Sequence, residues 1–290
     1  MCDDSTFEDN QNALSSSVSR RRFGILSSTA ALATLVPAVA NAKSTTESDI
    51  TIKTPDGEAD CYFVHPTEGR HPAVLVWPDI VGLRPAFRLI GKRLAETGYA
   101  VLVVNPYYRT LTGLVELPDK ENRRAAENWK LLRSLAGTLS PETNVTDANA
   151  FIDFLDKQPA VDTTKKIGTT GYCMGGPIVM RTAAARPDRI GAGASFHGGG
   201  LATDAANSPH LLIPKMKAGM LIAKAANDDE KSPETKVILR EAFDAADVSA
   251  EIEVYDGALH GWCVPDSQVY NLEQAERAWT RLLVLLETNL

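Results

Sequence analysis

Short apolar runs alternate with longer stretches of helical spacing along most of the chain. The segments "AVLVWP" and "YAVLVVNPYY" contain uninterrupted apolar runs, as strands buried on both faces of a parallel sheet do. Between them, "RPAFRLIGKRLAETG" has apolar residues at helical spacing and ends at Gly98, which favours helix termination. This alternation predicts a single α/β domain with a mostly parallel central sheet and helices on both faces.

The remaining elements follow from the same patterns and from turn residues. "SDITIKT" and "ADCYFVH" predict a hairpin around the turn Pro55-Asp56-Gly57, and Ser140-Pro141 predicts a helix start. In a parallel sheet, ligands bind at the carboxyl ends of strands, so residues directly after strands are the candidates for chemistry. The predicted elements are a polar helix 119–135, a helix from 140 to about 157, strand 166–171, helix 174–186, strands 191–196 and 218–224, helix 233–246, strand 250–256 and a last helix near 271–289.

The first 42 residues have the pattern of an export signal rather than of a folded domain. Three arginines in "SRRRF" precede an uncharged, mildly apolar run that ends in the small-x-small site Ala40-Asn41-Ala42. The arginines favour the twin-arginine type of signal, which export machinery reads as an address for folded cargo. We therefore predict an exported, periplasmic protein cleaved near Ala42, with the folded domain at 43–290. Retention of the segment as an N-terminal anchor helix is the alternative.

Charge and composition narrow the function classes. The chain has 290 residues, 44% of them hydrophobic, and 37 acidic against 30 basic residues, for a net charge of −7. An acidic chain is poorly suited to nucleic acid, whose phosphates require clustered Lys and Arg. The body of the chain has no apolar stretch long enough for a transmembrane helix. No metal-ligand spacing of histidines occurs, so we expect no metal and no cofactor. A monomer is compatible with the sequence, which does not determine the oligomeric state.

Cysteine usage leaves one thiol unaccounted for. Of the four cysteines, Cys2 lies in the predicted signal, which leaves Cys61, Cys173 and Cys263 in the exported part. An odd number in an exported protein leaves at least one thiol without an intramolecular partner. A disulfide between Cys61 and Cys263 is one arrangement that the sequence leaves open.

Three reactive side chains follow three predicted strands. Cys173 lies in "GYCMGG" after strand 166–171, Asp229 lies after strand 218–224, and His260 lies in "DGALHGW" after strand 250–256. The order nucleophile, acid, histidine is that of the α/β-hydrolase triad. Asp228 is the alternative to Asp229 as the acid. His197 in "SFHGGG" also follows a strand and is the alternative base, or a residue that lines the pocket.

The glycines around Cys173 fit a nucleophile elbow. Such an elbow is a strained strand-to-helix turn with little room two residues to either side, and Gly171 and Gly175 occupy those positions. The helix that begins there points its positive end at the sulfur and favours the thiolate. The backbone N–H of Met174 is the predicted first donor to an oxyanion.

These motifs resemble the dienelactone hydrolase family of α/β-hydrolases over residues 48–289. The resemblance implies the α/β-hydrolase fold and a carboxylate at Asp79, in "PDIVGL", that contacts the resting cysteine. It also implies a second oxyanion N–H at Ile80 and a carboxylate-binding arginine near Arg109. The family's second arginine, four residues after the histidine, is replaced by Val264, and Trp262 and Cys263 give that part of the predicted pocket wall an apolar character.

The sequence therefore predicts a cysteine-dependent hydrolase of a small ester or lactone. Cys173 would form a thioester, with His260 as base and Asp229 as its orienting acid. One alternative is a thiol redox or sensing protein that uses Cys173 together with Cys263. Another is a binding module of the same fold without catalysis.

Overall fold

The computed structural model describes residues 32–120, 122 and 125–290, and its centre is an eight-stranded sheet. The strand order is β1-β2-β4-β3-β5-β6-β7-β8, with β2 antiparallel to both of its neighbours and the strands from β4 to β8 mutually parallel. The predicted mostly parallel sheet is confirmed. The strands are β1 Thr45–Thr54, β2 Gly57–Pro66, β3 Ala73–Trp77, β4 Ala100–Val104, β5 Ile167–Tyr172, β6 Ile190–Phe196, β7 Gly219–Ala225 and β8 Ala250–Tyr255.

Helices cover both faces of the sheet, as predicted. Buried residues of α1 and α7 form one apolar cluster against the sheet, and those of α3, α4 and α6 form the other. The helices are α1 Pro85–Thr97, α2 Ala126–Ala136, α3 Pro141–Leu155, α4 Gly175–Ala185, α5 Ala226–Lys231, α6 Glu234–Ala245 and α7 Leu272–Asn289, with a 3-10 helix at Pro209–Lys215.

Local sequence signals set the ends of the first long helices. Pro85 opens α1, and Gly98 ends it in a left-handed conformation with φ 116°. The Ser140 side chain accepts a hydrogen bond from the Thr143 backbone N–H at 3.2 Å, and the Thr143 hydroxyl accepts one from the Ser140 N–H. This reciprocal cap satisfies backbone donors at the start of α3.

Two segments differ from their predicted form. The polar helix predicted at 119–135 begins only at Ala126, because the Asn128 side-chain amide donates to the carbonyls of Asp119 and Asn122 and holds that segment as a loop. The segment that carries Asp228 and Asp229, between the predicted strand 218–224 and helix 233–246, forms the short helix α5, which was not predicted.

Most of the predicted export signal, residues 1–31, lies outside the described residues. The described end of that segment contacts the domain, since Leu32 is buried in the apolar cluster that lines α1 and α7. Among the described residues, no helix is both long enough and apolar enough to cross a membrane.

Candidate active site

Cys173 occupies a turn between β5 and α4 in which backbone segments approach closely. Its φ is 51°, a left-handed value that residues other than glycine rarely adopt. A Cβ on Gly171 would lie 2.3 Å from the Gly175 carbonyl oxygen, and one on Gly175 would lie 2.4 Å from the Trp77 carbonyl oxygen. Both positions therefore require glycine, and the predicted strained strand-to-helix turn is present.

The turn buries Cys173 and points a helix N-terminus at it. Cys173 is 4% exposed, and its backbone N–H donates to the Phe196 carbonyl at the end of β6, at 3.0 Å. The Gly176 N–H donates to the Cys173 carbonyl as α4 begins. The positive end of the α4 dipole therefore lies beside this residue, which favours a negatively charged sulfur when the thiol is reduced.

The cysteines are not in equivalent states. Cys173 is disulfide-bonded, whereas Cys61 and Cys263 are free. Cys61 and Cys263 therefore do not form the disulfide that the sequence left open. Cys263, the partner that the redox alternative assigns to Cys173, is likewise not bonded to it. Burial raises the pKa of both free thiols, which makes them poor nucleophiles at neutral pH.

His260 lies after β8 and is oriented by the short helix that follows β7. Its Nδ1 is 2.7 Å from a carboxylate oxygen of Asp228. Its backbone N–H donates to the Asn227 side-chain oxygen at 2.9 Å, so α5 fixes both the ring and the backbone. With Nδ1 bound to Asp228, Nε2 is the ring nitrogen on the opposite side, as a general base requires.

The prediction that Asp229 holds the imidazole is wrong. Consecutive residues of a helix point about 100° apart, so only one of the two neighbouring acids can face His260. Asp229 instead pairs with the nearly buried Lys224 at 3.1 Å and with Lys236. Although burial opposes ionisation of Asp229, the hydrogen bonds from these lysines outweigh it and lower the pKa of its carboxyl.

His197 packs against the ring of His260 from the end of β6. The two rings meet edge to face with centroids 4.9 Å apart, and Tyr172, which precedes Cys173, lies 6.1 Å from His197. His197 is 1% exposed, has φ 41°, and its Nδ1 has no hydrogen-bond partner in the described structure. Burial, with a smaller contribution from His260, lowers its pKa well below the usual histidine value. His197 therefore remains neutral and supports His260, which has the carboxylate partner that a base needs.

Trp262 does not provide an exposed pocket wall, in contrast to its prediction as a substrate-binding residue. It is fully buried, stacks on Tyr255 at 5.2 Å, and meets His197 edge to face at 5.3 Å. It lies in the long loop that follows β8. Trp262 therefore packs against the histidine that supports His260.

The loop that carries Ile80, the predicted second oxyanion donor, is held at several backbone groups. The Asp79 side chain accepts from the Val81 N–H at 2.9 Å, and the Gly82 N–H donates to the Asp79 carbonyl. The buried Tyr107 hydroxyl donates to the Ile80 carbonyl at 2.8 Å and lies 3.3 Å from the Met174 sulfur. Tyr107 therefore contacts both residues whose N–H groups are the expected oxyanion donors.

The two remaining predicted residues are bound to other protein groups. Both oxygens of Asp79 accept hydrogen bonds from Arg84, at 2.7 and 2.9 Å. Arg109 donates four hydrogen bonds to Asp56 and Asp147. Its predicted role in binding a substrate carboxylate is therefore not supported, because two protein carboxylates already occupy its guanidinium group.

Three features of the site escaped the sequence analysis. Tyr107 and Arg84 act through contacts with residues distant in sequence, although both lie in the loops after β3 and β4 where sequence reasoning places functional groups. The helical conformation of residues 226–231 also escaped it, and that conformation decides between the two aspartates. Among the described residues, no group of three His, Cys, Asp or Glu side chains could hold a metal ion.

The arrangement combines a cysteine at a helix N-terminus, an imidazole oriented by a carboxylate, and a fixed loop with a candidate oxyanion donor. All three stand at the carboxyl edge of the parallel strands. When the cysteine is reduced and deprotonated, such a set suits attack on an acyl carbon by its thiolate.

Comparison with known proteins finds relatives that match most of the chain. The sequence model of the dienelactone hydrolase family matches residues 59–290. A Synechocystis sp. protein named "Putative carboxymethylenebutenolidase" is 30% identical over 235 residues, which is 79% of this chain and 91% of that protein. The structure of a dienelactone hydrolase-like promiscuous phosphotriesterase from metagenomic libraries superposes with a TM-score of 0.70 at 22% identity, over 85% of this chain and 99% of the other. A dienelactone hydrolase structure from Anabaena variabilis gives a TM-score of 0.57 at 19% identity, over the same shares of the two chains.

Burial of a neutral His197 predicts a specific loss of stability in acid. The folded-state pKa lies below that of the unfolded chain, so the unfolded chain binds more protons below about pH 6.5. Relative to His197→Phe, the wild type should lose up to about 1.4 kcal/mol of unfolding free energy per pH unit below that value. Urea unfolding of both proteins at about pH 5.5 and about pH 7.5 measures this difference. The same pH dependence in both proteins would contradict the assignment.

Proposed function

Since this chain belongs to the dienelactone hydrolase family, we propose that it hydrolyses an ester or lactone through a thioester formed on Cys173. The observation that carries the proposal is the hydrogen bond between His260 Nδ1 and Asp228, at the same sheet edge as the strained turn of Cys173. The names of the relatives support the substrate class, because the Synechocystis protein is named for a butenolide-opening activity. A Bradyrhizobium relative, 23% identical, is named as a lactonase.

The first half of the reaction forms the acyl-enzyme. His260 Nε2 takes the proton of the Cys173 thiol, and the thiolate attacks the substrate carbonyl carbon to form a tetrahedral oxyanion. When this intermediate collapses, the carbon–oxygen bond to the leaving group breaks and the alkoxide takes the proton from His260. Asp228 holds the ring and stabilises its charged form throughout.

The second half releases the acid. His260 removes a proton from water as the water attacks the thioester carbonyl. Collapse of the second tetrahedral intermediate expels the Cys173 thiolate, which takes that proton back from His260. In a lactone both products remain one molecule, a hydroxy acid. The reaction consumes one water.

Backbone donors would stabilise both tetrahedral intermediates. The N–H groups of Ile80 and Met174 are the proposed oxyanion hole, and the bond from Tyr107 to the Ile80 carbonyl keeps that loop in place. Removal of one such donor typically costs about 3–4 kcal/mol of transition-state stabilisation. A rigid hole is effective because its dipoles do not reorganise during the reaction.

The proposed reaction requires the reduced form of Cys173. A disulfide at Cys173 would remove the thiolate that attacks the substrate. Activity should therefore be measured in the presence of a thiol reductant.

The proposal concerns esters and lactones in general rather than a dienelactone carboxylate. Val264 replaces an arginine of the family motif and is buried in an apolar cluster. Arg109 is committed to two protein carboxylates. Neither position supplies a charged group to clamp a substrate carboxylate, so neutral substrates are the first choice for assay.

Intact-protein mass spectrometry tests the nucleophile. Reduced wild type, mixed with activated esters and lactones and quenched early, should gain the mass of one acyl group, because deacylation follows acylation. Cys173→Ala should gain no acyl mass and lose turnover, whereas Cys263→Ala, the matched control, should behave like wild type. Full turnover by Cys173→Ala on every substrate would reject the mechanism.

The two neighbouring aspartates provide a second test. Asp228→Asn should lower kcat by about 10²-fold, because it removes the negative charge that stabilises the His260 imidazolium. Asp229→Asn should lower the free energy of unfolding by leaving Lys224 without this carboxylate, yet keep kcat close to wild type. Steady-state kinetics and urea unfolding separate the effects. Equal losses of kcat in the two variants would contradict the assignment of Asp228.

A further inference from the structure

A nearly buried arginine joins the two loops that carry the proposed oxyanion donor and the proposed base. Arg84 donates to Asp79 at 2.7 and 2.9 Å, and to Asp266 at 2.8 and 2.9 Å. The side chains of the three residues are only 7% to 13% exposed. Asp79 precedes Ile80 in the loop after β3, and Asp266 follows His260 in the loop after β8.

The loop after β8 has particular need of such a contact. Sixteen residues, 256–271, connect β8 to α7 without a strand or an α-helix, and His260 lies among them. Most backbone hydrogen bonds of this loop are local turns within it, so side-chain contacts help to determine its position relative to the oxyanion loop. The planar guanidinium, with donors in a rigid fork, can hold two carboxylates in one fixed relation.

We propose that Arg84 is a positioning residue, whose paired bonds to Asp79 and Asp266 fix the His260 loop relative to the oxyanion loop. This inference rests on the hydrolysis proposed above. Arg84 itself is well placed for the role, because it directly precedes α1 and its guanidinium lies 4.9 Å from the Phe87 ring centroid. The clamp is therefore anchored to a long helix packed on the sheet.

Arg84 remains positively charged in this environment. Burial on its own would lower the pKa of the guanidinium, but the charges of Asp266 and Asp79 outweigh burial and raise it. The bonds are charge-assisted and buried, which makes them stronger and less screened than surface ion pairs. Neutralising Arg84 alone would leave two nearly buried carboxylates without this partner.

A second ion pair, made by an arginine within α1, provides the control. Arg93 donates to both oxygens of Glu276 at 2.7 and 2.6 Å and joins α1 to α7. Its side chain is 11% exposed, close to the 12% of Arg84. Loss of the Arg93 pair removes a similar contact between elements while leaving the oxyanion loop and the His260 loop in place.

Kinetics of Arg84→Gln, Arg84→Lys and Arg93→Gln test the clamp. We expect Arg84→Gln to lower kcat by about 10²-fold with a smaller change in KM, because misplacement of a catalytic group by about 1 Å costs that much. Arg84→Lys should recover little, since an ammonium cannot hold both carboxylates in the planar geometry. Arg93→Gln should keep kcat. The double variant Arg84→Gln/Asp266→Asn also removes one of the two carboxylate charges that lose Arg84 as a partner. It should be no slower than Arg84→Gln alone, because the second substitution acts on the Arg84–Asp266 contact that the first has already broken.

Hydrogen exchange separates this inference from the proposed function. In the full chain, Arg84→Gln should speed amide exchange in peptides covering both 78–84 and 258–268, and Arg93→Gln should not. Unchanged exchange in both segments would overturn the clamp whether or not the protein hydrolyses any substrate. Wild-type turnover with kcat unchanged in Arg84→Gln would overturn it as well. Faster exchange in a protein without hydrolase activity would support the clamp and reject the proposed function.

Discussion

Backbone crowding at the turn after β5 is the constraint on which the rest of the site depends. Gly171 and Gly175 allow that turn to pass within contact distance of the Trp77 carbonyl, at the start of the loop that carries Ile80. The following glycine, Gly176, has no room for a side chain either, since its Cβ would lie 2.4 Å from the Ser195 hydroxyl on β6. One tight turn therefore fixes Cys173 against the ends of both neighbouring strands, β3 and β6, and every other group is positioned around it.

Charged groups complete the site, and those described here have partners. The short helix α5 points two adjacent acids in different directions, so that Asp228 pairs with His260 and Asp229 pairs with a nearly buried lysine. Arg84 likewise pairs with two carboxylates, those of Asp79 and Asp266. Because an unpaired buried charge is costly, these pairs also limit which orientations the loops can adopt. The same ion pairs therefore compensate buried charge and position the groups of the proposed reaction.

Local sequence signals were sufficient to predict the sheet, the need for glycines around Cys173 and the position of His260 after the last strand. Those features depend on apolar runs, turn residues and chain order, which are readable along the chain. The choice of Asp228 over Asp229 depends on helical phase in a six-residue segment too short for a periodic signal. The occupied state of Arg109, the burial of Trp262 and the clamp at Arg84 depend on residues distant in sequence, including Asp147 and Asp266. Such pairings require the tertiary structure.

The central claim is that this fold makes Cys173, once reduced, a reactive nucleophile assisted by His260. Its most direct test is the rate of alkylation of each cysteine by iodoacetamide in the reduced protein at about pH 6, where an ordinary thiol is almost fully protonated. The account predicts that Cys173 is modified far faster than Cys61 and Cys263, whose pKa values are raised by burial, and that His260→Ala abolishes this advantage. Modification of Cys173 no faster than that of an unstructured peptide thiol would contradict the account.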